Sequence, residues 1–262
     1  MRVLVCIKQV PDTTRVAIDE KTGSLIRGGV DSKINIYDLH ALEAAFELKE
    51  KTGCKITVLT MGPPQAERAV REAIALGADD GCLVTDRAFA GADVLATSYT
   101  LYQAISELGN FDLLLCGKQT TDGDTAQVGP ALAEHMGIPH AACITKIIDS
   151  DKNGITFEQD LTESLQDVRF DFPCLLTIEK GNESPRLPSY RRKKQFEGVG
   201  IRRLTLADLN DKDTSRYGAE GSPTRVERIF PPARNDDNIM LEGDAGELAK
   251  LLLDILVAQK IV

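Results

Sequence analysis

Residues 111–116, FDLLLC, are almost unbroken apolar sequence, and they give way at once to the polar, glycine-bearing stretch GKQTTDGDTAQVGP at 117–130. A strand without polar alternation is covered on both faces. In a globular chain that means helices on both sides of a largely parallel sheet. The rest of the first half agrees. Residues 3–7, 56–61 and 82–85 read as further strands. Residues 38–51, 65–76 and 124–136 read as helices, as does a segment capped by Asp93 and running to Leu108. Gly53, Gly77, Gly109 and Gly137 stand at the helix ends, where a glycine stops a helix at least cost. Strand and helix alternating in this order specify crossover connections.

After Ala141 the pattern changes. Residues 145–148, 155–159, 165–170 and 175–178 read as strands separated by turns, a partly antiparallel extension of the same sheet. From Gly181 the chain turns polar, with Pro185, Pro188 and the basic run Arg191 to Lys194, which together read as an exposed loop. A final helix is expected over 244–260. Asp244 and Glu247 stand at capping-box spacing, and Leu248, Leu251, Leu252, Ile255 and Leu256 form an apolar stripe. That stripe must be buried on the chain's own domain or on a partner. The expected division is an α/β domain over 1–200, followed by a linker and C-terminal arm over 201–262.

Composition excludes some roles. A net charge of −9 argues against a nucleic-acid partner, whose binding draws on clustered Lys and Arg. The three histidines make no metal-ligand spacing, so no metal is expected. The opening MRVLVCIKQV reads as a strand rather than a signal peptide, and no apolar run reaches membrane-spanning length. The six cysteines form no CxxC pair, and four lie within or beside apolar runs. Reduced thiols and a cytoplasmic location, without membrane insertion, are the expectation.

The chemistry concentrates in 117–128. A loop after a buried strand that opens a helix lies where open parallel sheets bind ligands, and the helix start offers N–H groups and partial positive charge to a phosphate. Gly117 and Gly123 permit close backbone approach. Thr121, Thr125 and Gln127 are donors, and Lys118 supplies charge. Asp122 and Asp124 are expected to cap the helix or hold the loop. The competing reading is a tight capped loop with nothing bound. Neither GxxxxGK[ST] nor GxGxxG is present, and no nucleophile–base or paired-carboxylate spacing is found, so no catalytic residue is assigned.

At these residues the chain resembles the electron-transfer flavoprotein beta subunit. LLLCGKQTTDGDTAQVG looks like that family's adenine-nucleotide loop. RVLVCIKQVPDT, the segment Asn35-Ile36-Tyr37-Asp38 before ALEAA, the turn at Met61-Gly62-Pro63, and PCLLT at 173–177 match in place. The resemblance implies a Rossmann-like, adenine-nucleotide-binding domain with a C-terminal helical arm packed on an alpha subunit. It implies a cofactor site at Cys6, Asn35, Ile36, Tyr37, Asp38 and Met61, and at Gly117, Lys118, Gln119, Thr120, Thr121, Asp122, Gly123, Asp124, Thr125, Ala126, Gln127 and Val128. Thr97 belongs to the same pocket on this reading, and Leu187 anchors a partner dehydrogenase. VPDT at 10–13 resembles the subgroup that carries FAD rather than AMP on this subunit and splits electron pairs from NADH between ferredoxin and a flavin dehydrogenase acting on acyl-CoA or 2-hydroxy-acid substrates. A subunit holding structural AMP, and a regulatory nucleotide-binding module of the universal-stress type, are the alternatives.

Overall fold

The computed structural model describes residues 1–12, 32–181, 184–227 and 240–261. The chain forms β1 (Arg2–Cys6), β2 (Gln9–Pro11), β3 (Ser32–Ile34), α1 (Ile36–Thr52), β4 (Lys55–Met61), α2 (Glu67–Leu76) and β5 (Asp80–Val84). It continues through α3 (Val94–Leu108), β6 (Leu113–Gly117), α4 (Val128–Met136), β7 (His140–Ser150), β8 (Gly154–Asp160), β9 (Leu165–Asp171) and β10 (Cys174–Ile178). α5 (Tyr190–Gln195), β11 (Arg202–Leu204) and α6 (Ala245–Ala258) follow.

Nine strands make one sheet in the order β11-β5-β4-β1-β6-β10-β7-β8-β9, while β2 and β3 pair as a small antiparallel sheet. All pairings from β11 to β7 are parallel; β7-β8 and β8-β9 are antiparallel. Two apolar layers enclose the sheet. One joins Val3, Val5, Ile56, Val58 and Leu113 to α1 and α2; the other joins Leu4, Leu59, Leu114 and Cys116 to α3 and α4. Each strand therefore feeds both layers, which accounts for the lack of alternation in its sequence.

Several boundaries differ from the sequence reading. β10 is not part of the antiparallel extension. It lies between β6 and β7, and all five of its residues are buried. β7 starts at His140, earlier than expected, because its first residues pair with β10. Two compact units part after Glu227. The three residues of β11 extend the sheet beside β5, and Asp211 ties the next segment to α3 by accepting from Tyr99 Oη at 2.5 Å. The Asp93 and Asp244 caps are present as read, the latter with Glu247 in a full capping box. All six cysteines are free thiols, five of them buried. No described helix is long and apolar enough to cross a membrane, and the described residues hold no cluster suited to a metal ion.

Candidate functional site

Strand order reverses between β1 and β6: β1, β4 and β5 run outward in one direction, β6 and β10 in the other. The crevice outside the carboxyl ends at such a point is where this architecture binds ligands. Cys6 and Cys116 stand opposite each other in register there. A hydrogen bond between the two thiols, with burial, pushes Cys116 far above the ordinary thiol range, so it stays protonated and fills space.

The loop 117–127 leaves β6 at this crevice, and Asn35 holds it. Asn35 is fully buried just before α1. Its Nδ2 donates to Gln119 O at 2.8 Å and its Oδ1 accepts from Thr121 N at 3.2 Å. Its backbone N–H donates to Lys8 O at 2.9 Å. One residue thus fastens the loop, by its side chain, and the end of β1, by its backbone, to the start of α1. Tyr37 and Asp38 lie inside the first turn of α1 rather than before it. Asp38 is buried and accepts from Lys8 N at 2.7 Å. Burial pushes its carboxyl up to about 7 against the pull of that bond and of the donors Asn35 and Gly117. Gly117 is obligatory: a Cβ there would overlap Asp38 Oδ1 and press on the Tyr37 backbone.

The helix expected from 124 begins at Val128, and Asp124 does not cap it. Asp124 and Ala126 occupy the left-handed region, with φ of 53° and 56°, so helical backbone cannot start before them. Asp124 N–H donates to Thr120 O at 2.9 Å, and the Gln119 amide donates to the Asp124 carboxylate. Asp122 binds Lys8 Nζ at 2.7 Å. Burial raises the Asp122 carboxyl, but the bond and charge of Lys8 outweigh it and hold the group below its ordinary value. Both acids hold the loop, the second of the two roles read from sequence.

This leaves the start of α4 open. Gln127 precedes it with no side-chain cap, and the first N–H groups of a helix have no partner within it. Left-handed Ala126 followed by right-handed Gln127 is an alternation that turns successive N–H groups to one side, a shape that suits an anion. Left-handed residues other than glycine cost about 1–3 kcal/mol each and collect at ligand sites. Lys118 Nζ pairs with Glu179 Oε2 at 2.6 Å, and that bond raises its pKa.

The site residues read from sequence lie at or near the carboxyl ends of the strands, two of them farther from the loop. Thr97 sits in the first turn of α3, and its N–H donates to Asp93 O at 2.9 Å; among the described residues no hydrogen bond joins it to the loop. Met61 ends β4 and packs into the α3–α4 layer. Of VPDT, Thr13 lies outside the described residues; Val10 and Pro11 form β2, and Asp12 pairs with Lys33 at 2.7 Å. Sequence reasoning put Lys8 in the turn lining the crevice but missed its pairing with Asp122, 114 residues away. It also missed Gly129, where a Cβ would meet the Thr177 methyl at 2.6 Å. A glycine one residue into a helix start was the available signal for that close packing.

Leu187 is 87% exposed, yet its neighbours are fastened. Arg186 forms a forked pair with Glu43 at 2.7–3.0 Å, reaches Glu50 at 3.0 Å and lies over the Phe46 ring. Ser189 N–H donates to Ala75 O at 3.0 Å, and Arg192 donates to Ile74 O and Ala78 O. α6, in the second compact unit, has no buried residue.

Residues 22–202 match the family model described as the electron transfer flavoprotein domain. The chain is 42% identical to the electron transfer flavoprotein subunit beta of Megasphaera elsdenii over the full length of both. It is 40% identical to the caffeyl-CoA reductase-Etf complex subunit CarD of Acetobacterium woodii, again over the full length of both. It is 37% identical, over both full lengths, to the acryloyl-CoA reductase electron transfer subunit gamma of Anaerotignum propionicum.

Proposed function

Since this chain belongs to the electron transfer flavoprotein beta-subunit family, we propose that it holds FAD at the β1–β6 crevice and works with an alpha subunit in electron bifurcation. The observation that carries the reading is the loop 117–127, with its two left-handed residues leading into the uncapped start of α4 at the switch point. On this reading the N–H groups around Thr125 to Val128 receive the phosphates. Asn35, Asp38, Lys8 and Asp122 keep the loop in shape. FAD held there would supply two-electron acceptance from NADH and one-electron transfer toward the alpha-subunit flavin with its dehydrogenase and toward ferredoxin. The protein's own residues bind, orient and shield it. Relatives named as subunits of caffeyl-CoA and acryloyl-CoA reductases favour a dehydrogenase acting on CoA thioesters over one acting on 2-hydroxy acids. Leu187 is the proposed anchor for that dehydrogenase, and the apolar stripe of α6 the surface for the alpha subunit. The complex is expected in the cytoplasm.

Gly123→Val and Thr125→Val test the site. Each is expected to lower nucleotide retention after gel filtration while the circular dichroism spectrum stays that of the unaltered chain. A hydrogen bond to a charged group contributes about 1.5–3 kcal/mol, roughly a tenfold to hundredfold change in affinity. Full retention in both variants sinks the assignment.

A further inference from the structure

A buried carboxyl group where the chain would meet an anionic ligand is the least expected feature of the crevice. Hydrophobic burial disfavours the charge of Asp38, and a phosphate would repel it. Its nearest contacts nevertheless favour the charged form. Lys8 N–H, at the end of β1, donates to Oδ2 at 2.7 Å. Gly117, at the end of β6, packs against the same carboxylate, and it and Asn35 favour the charged form. Gly117 lies so close that even a methyl group in place of its hydrogen would overlap Oδ1. These lie at the ends of the two strands that pair at the switch point.

We propose that Asp38 is a positioning residue whose carboxylate ties the ends of β1 and β6 together and so fixes the start of the nucleotide loop. The proposal rests on the nucleotide reading above. A carboxylate is an acceptor at both oxygens, whereas a carboxylic acid places an O–H on one of them. Protonation removes the charge that strengthens the Lys8 N–H bond, and so loosens the tie. Burial pushes the group up to about 7, so the tie is poised to loosen just below neutral pH. The other groups facing Asp38 are Lys8, whose ammonium is held on Asp122, and the protonated thiol of Cys116. Tyr37 and His40 are its titratable neighbours on α1.

The test is calorimetric titration of the full-length chain, purified with its partner and stripped of nucleotide, using FAD as probe. The FAD diphosphate keeps a constant charge from pH 6 to pH 8. The wild type is expected to bind about tenfold more weakly at pH 6 than at pH 8, as one proton is taken up. Asp38→Asn is expected to bind at least tenfold more weakly at pH 8, with no pH dependence, while its thermal stability at pH 7 is undiminished. Proton counting needs no variant: titrations of the wild type at pH 6.5 in two buffers of different ionisation enthalpy are expected to show protons released on FAD binding. Equal FAD affinity at pH 6 and pH 8, or proton uptake, overturns the proposal even if binding is tight. So does an Asp38→Asn variant with wild-type affinity. Failure of the wild type to bind FAD at pH 8 overturns the nucleotide reading itself.

Discussion

At the scale of single residues, the site is governed by what has no room to change. A Cβ at Gly117 cannot be placed without moving Asp38 or the first turn of α1. Gly117→Ala is therefore expected to cost about 1–3 kcal/mol, as overpacking does, and to release the nucleotide; a melting curve and a retention assay read both. Asp38 gives a second expectation with a definite sign. Its folded-state value, about 7, lies above its ordinary 3.8. The folded state thus binds the proton more tightly than the unfolded state. The contribution to stability is full below about pH 4, declines as pH rises toward 7, and is flat above. Relative to Asp38→Asn, the wild type without nucleotide is expected to lose up to a few kcal/mol across that window. Denaturant midpoints for both proteins at pH 4.5 and 7.5 would show it; a wild type that gains stability relative to the variant over this range contradicts the account.

At the scale of elements, some features were legible in the sequence because their causes are local. The Asp93 and Asp244 caps, the glycine stops and the buried strands depend on neighbours within a turn. The start of α4 was misplaced because Asp124 resembles a cap by type, whereas its left-handed backbone is imposed by Thr120 O, Gln119 and the distant Asn35. The place of β10 between β6 and β7 was illegible for a related reason: pairing with strands far away in sequence leaves no mark beyond an apolar run. The candidate site followed the same rule. The loop was visible as a motif, but the contacts that shape it, Asn35 to Gln119 and Lys8 to Asp122, span 84 and 114 residues. The segment carrying Leu187 shows rigid anchorage beside an exposed side chain. Arg186 is a third exposed, so its pairs with Glu43 and Glu50 are expected to contribute only about 1 kcal/mol. Arg186→Ala should leave stability nearly unchanged yet weaken dehydrogenase binding by freeing the segment. Leu187→Ala should weaken it at least tenfold. Surface plasmon resonance on the purified complex measures both, and unaltered binding in the pair would remove Leu187 as an anchor.

At the scale of the whole molecule, the family fixes the role of the chain as an electron-transfer subunit. A sheet covered on both faces presents one switch point, and the geometry there (a glycine with no room, a buried amide, two left-handed residues) is of a kind that suits an anion. The central claim is that this site carries a flavin and not merely an adenine nucleotide. Quantifying FAD and AMP released from the purified heterodimer, by chromatography after acid denaturation, tests it most directly. The account predicts two FAD and no AMP per heterodimer; one FAD with one AMP would contradict it.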